Sequence, residues 1–167
     1  MSDVHGKYCL DANVLIEAWQ KYYSPKFCPD YWDIINKLGA EKKIFIPNEV
    51  AEEIIRTDDD LAIWLKGSKV PVAKTTESVI SCWQVILAAH PDHMRLVDSI
   101  KGRSLADPWV IAHAIDQSAT VVTKENIATA SNTKRVKIPN VCKNMGVRWM
   151  DDFQFIDEVG IRFTCTS

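Results

Sequence analysis

Short apolar runs alternate along the chain with longer segments whose apolar residues recur at helical spacing. The short runs predict β-strands at residues 7–10, 43–46, 119–123 and 147–149. The helical spacing predicts helices at residues 13–20, 31–38, 47–56, 61–65, 76–89, 108–116, 141–145 and 153–158, some of them ended by a glycine such as Gly39. Strands that alternate with helices in this way indicate an α/β fold with a mainly parallel central sheet.

Composition narrows the class of protein. A chain of 167 residues fits a single domain, residues 1–167, within the usual size of roughly 100–200 residues. Its five cysteines include no C-x-x-C pair, so neither a disulfide framework nor a zinc knuckle is predicted. The first residues lack an apolar signal region, and no apolar run approaches the roughly 18 residues that a membrane span requires. We therefore predict a cytoplasmic protein that does not enter the membrane.

Acidic residues follow the predicted strands or begin helices next to them. In an open parallel sheet the functional crevice lies outside the carboxyl ends of the strands. Carboxylates brought together there repel each other unless a cation holds them, and oxygen ligands suit hard cations such as Mg²⁺ or Mn²⁺. The acids in such positions are Asp11, Asp107, Glu125, Asp151 and Asp152, and Glu53 lies on another of the predicted helices.

Each of these acids also has a structural explanation. Asp11 is placed to cap the helix that follows it, and Asp107 precedes a proline at the predicted N-cap of the helix at residues 108–116. Asp152 is an equally good cap for the last helix, and Glu125 fits a solvated loop. The acidic run at residues 58–60 is interpreted as a solvated helix start and not as a site.

The helix at residues 47–56 carries three glutamates, and its periodicity separates only one of them from the others. Glu49 lies opposite the apolar face and is predicted to be solvated. Glu52 and Glu53 flank that face on either side, so the pattern alone does not choose between them.

Four segments resemble, in order along the chain, the motifs of PIN-domain nucleases. Residues 8–16 (YCLDANVLI) resemble the first motif, an apolar strand that ends in an aspartate, here Asp11, with a small polar residue two positions later. Residues 46–54 (IPNEVAEEI) resemble the second motif, whose glutamate precedes an aliphatic residue. That preference implies Glu53 as the second acid of the family pattern.

The third and fourth motifs lie in the second half of the chain. Residues 105–114 (LADPWVIAHA) are similar to the third motif, in which an aspartate, here Asp107, precedes an alanine-rich helix. Residues 121–125 (VVTKE) are similar to the fourth motif, although Glu125 stands where the family usually has aspartate. Residues 137–147 resemble a less characterised bacterial branch of PIN-like proteins, so the resemblance covers most of the chain.

The resemblance implies a three-layer α/β/α sandwich and metal-dependent endonucleolytic cleavage of RNA. It implies Asp11 and Asp107 as direct ligands of Mg²⁺ or Mn²⁺, with Glu53 and Glu125 binding the metal or a water molecule beside it. Many small bacterial members are toxins of toxin–antitoxin pairs, so a small antitoxin protein is an expected partner, and a homodimer is a further expectation. The insert at residues 57–104 is longer than in the smallest members and is a candidate substrate or partner surface.

Polar and basic residues beside these motifs are candidates for contacts to the phosphates of RNA. Asn13 and Thr123 accompany the first and fourth acids. The formal net charge is −2, which argues against binding by phosphate neutralisation alone. The densest basic stretch is nevertheless next to the fourth motif, and a solvated loop is its alternative interpretation. Its members are Lys124, Lys134, Arg135 and Lys137.

The aromatic residues and one histidine have a structural interpretation. Six tryptophans suggest stacking on bases. Trp19, Trp83 and Trp109, however, occupy apolar helical positions and are interpreted as core residues. His113 lies within an apolar helix and is interpreted as a core histidine with satisfied hydrogen bonds.

Two classes other than a nuclease also fit the predicted α/β fold. A phosphatase or a receiver-like domain likewise gathers acids at strand ends around Mg²⁺, although a dehalogenase-type phosphatase requires D-x-D where this chain has Asp11-Ala12-Asn13. The other class is a catalytically inactive PIN-like module that keeps the fold to bind a partner.

Overall fold

The computed structural model describes residues 6–57, 59–98, 106–127 and 136–164. Its strands are β1 (Tyr8–Leu10), β2 (Ile44–Pro47), β3 (Val72–Ala73), β4 (Thr120–Val122) and β5 (Trp149–Met150). Its α-helices are α1 (Ala12–Glu17), α2 (Pro29–Ala40), α3 (Asn48–Arg56), α4 (Asp60–Gly67), α5 (Glu77–Ala89), α6 (Met94–Asp98), α7 (Asp107–Asp116), α8 (Ile138–Met145) and α9 (Asp152–Val159). A π-helical segment, Ala18–Tyr22, continues α1, and a 3₁₀ turn, Pro91–His93, precedes α6.

The five strands form one sheet in which every neighbouring pair is parallel. Their order is β3-β2-β1-β4-β5, so the chain first winds outward from β1 to β3 and then adds β4 and β5 on the other side of β1. The winding direction reverses between β1 and β4. A ligand crevice opens at such a switch point, outside the carboxyl ends of the strands. A receiver-like domain has the strand order 2-1-3-4-5, so the observed order excludes a receiver-like domain.

The central strands are buried along their whole length, as their uninterrupted apolar sequences predict. All residues of β1, β2 and β4 are buried. Helix α7 packs on these three strands and also on α5 and α8, while α3 packs on α1 and α4. The predicted three-layer α/β/α sandwich with a parallel sheet is therefore confirmed.

The segment at residues 57–104, predicted as an insert, is part of this architecture in its described portions. It contributes β3, a two-residue edge strand that the sequence pattern did not predict, and the short helix α6. Its longest helix, α5, covers α7, where the rings of Trp83 and Trp109 stack with centroids 5.4 Å apart and planes at 12°. Both tryptophans pack against the core, as does Trp19, which confirms their predicted role.

Helix α2 runs through Gly39, where the sequence predicted its end. A Cβ atom at this position would lie 2.7 Å from the Cα atom of Val70 and 3.0 Å from its backbone nitrogen. The glycine is therefore required by the close approach of the chain that leads into β3, and not by termination of the helix.

Helix α8 begins at Ile138, three residues earlier than predicted.

Within the described ranges, no helix combines the length and the apolar character that a membrane crossing needs.

Candidate functional site

The carboxylate of Asp11 lies at the switch point between β1 and β4 and is only 2% exposed. Its Oδ1 atom accepts a hydrogen bond from the backbone N–H of Ala12 at 2.7 Å, and its Oδ2 atom accepts one from the hydroxyl of Thr123 at 2.9 Å. Asp11 is also the N-cap residue of α1. The capping interpretation is therefore correct, and it is compatible with a site role because strand end and helix start coincide here.

Two further carboxylates act on Asp11. Burial raises the pKa of Asp11 well above its ordinary value, and the negative charges of Asp107 and Glu125 raise it further. The hydrogen bonds from Thr123 and Ala12 lower the pKa but do not offset the increase. A cation bound beside these carboxylates would stabilise the ionised form of Asp11.

Asp107 begins α7, and the N-cap position is occupied by Ala106. The sequence had placed Asp107 at the N-cap, so that interpretation is corrected by one residue. The side chain of Asp107 is half-buried. Its place in the first turn is favourable for a negative charge, because the N–H groups there carry the positive end of the helix dipole.

The loop after β4 is tied to the start of α1 and to the start of α8. The backbone N–H of Lys124 donates to Oδ1 of Asn13 at 3.1 Å, and the N–H of Glu125 donates to Oγ1 of Thr123 at 3.1 Å. The Oε2 atom of Glu125 accepts a hydrogen bond from the N–H of Ile138, at 2.9 Å. Glu125 is therefore not a solvated loop residue, which was its alternative interpretation. Asn13 and Thr123 hold the loop after β4 in place through these hydrogen bonds, and their contacts to phosphate stay a prediction.

The ammonium of Lys124 is engaged within the protein. It lies 2.9 Å from Oδ2 of Asp152 and 3.6 Å from Oε2 of Glu17. Burial lowers the pKa of Lys124, but the hydrogen bond and charge of Asp152 and the charge of Glu17 raise it above its ordinary value. The ammonium of Lys124 thus joins α9 and α1 to the loop after β4, and its contact to phosphate stays a prediction.

The helix cap after β5 is a different aspartate from the one predicted. Asp151 is the N-cap of α9 and accepts a hydrogen bond from the N–H of Gln154 at 2.8 Å, while the Gln154 side chain accepts one from the N–H of Asp151 at 2.9 Å. Asp152, the predicted cap, is instead 2% exposed and paired with Lys124. It lies on the Lys124 side of the site and not among the groups that shift the pKa of Asp11.

The phosphate contacts predicted for Lys134, Arg135 and Lys137 stay predictions. Lys137 is half-buried at the N-cap position of α8. Lys134 and Arg135 lie outside the described residues.

Glu49, at the start of α3, is not solvated as predicted. Its side chain is 16% exposed, and its Oε2 atom lies 3.1 Å from Nε2 of His113. The hydroxyl of Thr75 donates to its other carboxylate oxygen. Periodicity failed here because α3 begins directly at the carboxyl end of β2, where the first turn meets α7 and the loop after β3 and does not face solvent.

His113 links the helices that carry the predicted second and third acids. It is fully buried, and burial lowers its pKa while the charge and hydrogen bond of Glu49 oppose that change. Its Nδ1 atom has no hydrogen-bond partner in the described part of the chain. The prediction of a core histidine is confirmed, but hydrogen bonding satisfies only one ring nitrogen.

The two other glutamates of α3 differ in exposure. Glu52 is exposed, and its Oε1 atom accepts a hydrogen bond from Nδ2 of Asn48 at 3.0 Å. Glu53 is half-buried and lies four residues after Glu49, on the same side of the helix. The exposure supports Glu53 as the second acid, which stays a prediction.

The residues of the crevice fit a hard divalent cation by chemistry and charge. Their donors are carboxylate oxygens, and Asp11 is buried close to the charges of Asp107 and Glu125. Among the residues that the structure describes, however, no three Asp, Glu, His or Cys side chains already lie together as a metal-binding group. A cation would therefore have to draw the half-buried carboxylates toward Asp11.

Comparison with known proteins identifies a family model and solved structures of similar fold. A family model described as "Domain of unknown function (DUF4411)" matches residues 8–163. The chain is similar to the crystal structure of VapBC2 from Rickettsia felis bound to a DNA fragment from their promoter, with 14% identity, 86% of this chain and 97% of that chain covered, and a TM-score of 0.54. It is also similar to DNA-bound VapBC from Salmonella typhimurium, with 17% identity, 87% and 98% coverage, and a TM-score of 0.52.

Identities this low establish the fold alone, and that fold is the PIN-like fold that the motifs predicted. No match was found among curated proteins.

Proposed function

The chain belongs to the family described as "Domain of unknown function (DUF4411)", and for this member we propose a divalent-metal-dependent endoribonuclease activity that hydrolyses RNA phosphodiester bonds. The observation that carries the proposal is the buried carboxylate of Asp11 at the switch point of a PIN-like sheet, with the charges of Asp107 and Glu125 acting on it. A buried carboxylate under the charges of two half-buried carboxylates is a costly arrangement, and perturbed groups of this kind cluster at functional sites.

The proposed ligands of Mg²⁺ or Mn²⁺ are Asp11 and Asp107, with Glu53 and Glu125 as supporting acids. When bound, the cation would lower the pKa of the attacking water and offset the negative charge that develops on the phosphate. The hydroxyl of Thr123 donates to Asp11 and orients its carboxylate, which supports Asp11 as one of the proposed ligands. Glu125 is anchored at one oxygen, and we assign it the role of a general base for the attacking water.

The proposal extends to a protein partner. Both similar structures are described as VapBC assemblies bound to DNA. Together with the toxin-type resemblance of the motifs, this supports a small antitoxin protein as a partner of this chain and the cytoplasm as its location.

The activity is tested by incubating the purified protein with total RNA in Mn²⁺, in Mg²⁺ and in EDTA. We expect cleavage in either cation and none in EDTA. Asp11→Asn and Asp107→Asn should each abolish cleavage and weaken Mn²⁺ binding in calorimetry, because each removes a charged ligand. Glu125→Gln keeps an acceptor for the N–H of Ile138 and should slow cleavage by roughly 10²–10⁴-fold.

Adjacent glutamates of α3 provide a matched control. Glu53→Gln should impair cleavage, whereas Glu52→Gln should not, because Glu52 is exposed and bonded to Asn48. Unchanged metal affinity in both aspartate variants would place the site elsewhere. A wild-type protein that cleaves no RNA in either cation would contradict the activity and support the inactive binding module.

A further inference from the structure

Two exposed aromatic rings stand beside the candidate site. Tyr22 is 46% exposed and Phe153 is 54% exposed. The ammonium of Lys124 lies 4.3 Å from the ring centroid of Tyr22 and 5.1 Å from that of Phe153. Lys124 directly follows Thr123, whose hydroxyl binds Asp11. Both rings therefore contact the residue that directly follows Thr123, in the loop after β4.

We propose that Tyr22 and Phe153 form a stacking platform for unpaired bases of the RNA whose phosphodiester reaches Asp11. This inference rests on the proposed nuclease function and assigns the two side chains of this protein that would hold unpaired bases of its substrate. Exposed aromatic rings bind single strands with little sequence preference, because every base has a π-face. Bases in a duplex are paired and stacked on each other, so only unpaired segments can use such a platform.

The charge of the protein supports stacking as the source of affinity. A formal net charge of −2 leaves little attraction for a polyanion. Lys124, whose ammonium lies against both rings, is already paired with Asp152 and Glu17. Stacking does not depend on net charge, so it provides binding energy beside an acidic crevice.

The backbone that carries Tyr22 has an unusual helical conformation. The segment Ala18–Tyr22 is π-helical, and the N–H of Tyr23 donates to the carbonyl of Ala18 at 2.8 Å. π-helical turns are rare and frequently occur at functional sites. A π-turn adds a residue to the helical turn and so changes the direction of the side chains after it. Here Tyr22 meets Lys124 and Phe153 instead of continuing the regular face of α1.

The two rings contact each other, and an ion pair holds the helix that carries one of them. Their centroids are 6.1 Å apart and their planes are at 80°. Phe153 belongs to the first turn of α9, which the ion pair between Asp152 and Lys124 joins to the loop after β4. The platform is thus positioned before RNA binds, and little side-chain order has to be gained on binding.

The test measures binding separately from cleavage. Fluorescence anisotropy in EDTA follows a short labelled single-stranded RNA and the same strand in a duplex. Wild type should bind the single strand more tightly than the duplex. The double variant Tyr22→Leu, Phe153→Leu keeps apolar side chains but removes both π-faces, and it should bind the single strand about 10- to 100-fold more weakly.

Two control variants separate stacking from loss of fold. Tyr22→Phe keeps the ring and should keep the affinity. Phe27→Leu removes a ring that is 67% exposed but is not one of the two against Lys124, and it should also bind normally. Circular dichroism checks the fold of each variant.

The possible results discriminate between the two proposals. An equal affinity of wild type and the double leucine variant overturns the stacking platform, even if the protein cleaves RNA, and leaves these rings to a protein contact. An equal affinity for single strand and duplex overturns it as well. Ring-dependent binding without any cleavage supports the platform and contradicts only the nuclease activity.

Discussion

At the scale of single residues, two aspartates with the same burial have opposite environments. Asp11 and Asp152 are each 2% exposed. The pKa of Asp11 is raised by burial and by two neighbouring carboxylates, whereas Asp152 lies 2.9 Å from the ammonium of Lys124. An ionised group whose pKa is raised in the folded state reduces the free energy of unfolding, while an ion-paired group contributes to it.

Asparagine at these two positions should therefore have opposite effects on stability. Without divalent cations at neutral pH, Asp11→Asn should raise the free energy of unfolding by about 0.5–2 kcal/mol, the usual range for a single stabilising substitution. Asp152→Asn should lower it by about 1–3 kcal/mol, because Lys124 keeps its charge and loses its closest partner. Thermal melts of both variants in EDTA measure the two changes.

The pH dependence gives the sign of the Asp11 effect a second check. Below about pH 4 the carboxyl group is protonated in the folded and the unfolded chain, so its ionisation costs nothing there. The cost appears as the pH rises, since the unfolded chain loses the proton first. The gain from Asp11→Asn should therefore grow with pH above 4. A lower melting temperature for Asp11→Asn at neutral pH would contradict the assigned repulsion.

At the scale of helices and strands, two glycines in helices show how packing overrides local preference. Gly39 in α2 meets the backbone of Val70, where a Cβ atom would lie 2.7 Å from Cα. At Gly67, the last residue of α4, a Cβ atom would meet no other atom of the described residues within 4 Å. Helix propensity favours alanine over glycine at both positions, by about 1 kcal/mol in a helix interior.

Alanine should destabilise the protein at the first glycine and not at the second. Gly39→Ala should lower the free energy of unfolding by about 1–3 kcal/mol, because the methyl group pushes α2 away from the chain leading into β3. Gly67→Ala should leave it unchanged or raise it by up to about 1 kcal/mol. Urea unfolding of both variants provides the comparison, and a stabilised Gly39→Ala variant would refute the close contact.

At the scale of the whole molecule, the proposed function makes the isolated chain harmful to a cell. An endoribonuclease without its protein partner degrades RNA in the cytoplasm. Induced expression in a bacterium should therefore arrest growth, whereas Asp11→Asn, at matched protein levels, should not. Glu52→Gln provides the control that keeps the activity and should arrest growth like the wild type. Equal growth with wild type and Asp11→Asn would argue against the toxin role and not against nuclease activity.

Local sequence determines much of this protein. Apolar runs and helical periodicity predicted the α/β class, four of the five strands and Asp11 at a strand end, because burial of apolar side chains and helix capping act over a few residues. The order of the motifs predicted the PIN-like fold. Asp107 was predicted at the correct helix start, displaced by one position.

Contacts between distant segments were decided only by the tertiary structure. Periodicity placed Glu49 in solvent, but the parallel arrangement of β2 and its neighbours brings it to His113, which is 64 residues away in sequence. The local sequence indicated no partner for Lys124, but the addition of β5 beside β4 brings Asp152, 28 residues away in sequence, to 2.9 Å from its ammonium. Among the described residues, Tyr22 and Phe153 are exposed rings against Lys124, and no pattern along the chain indicated this pairing. A local pattern determines whether a side chain is buried, whereas its partner depends on the strand order, which no single segment encodes.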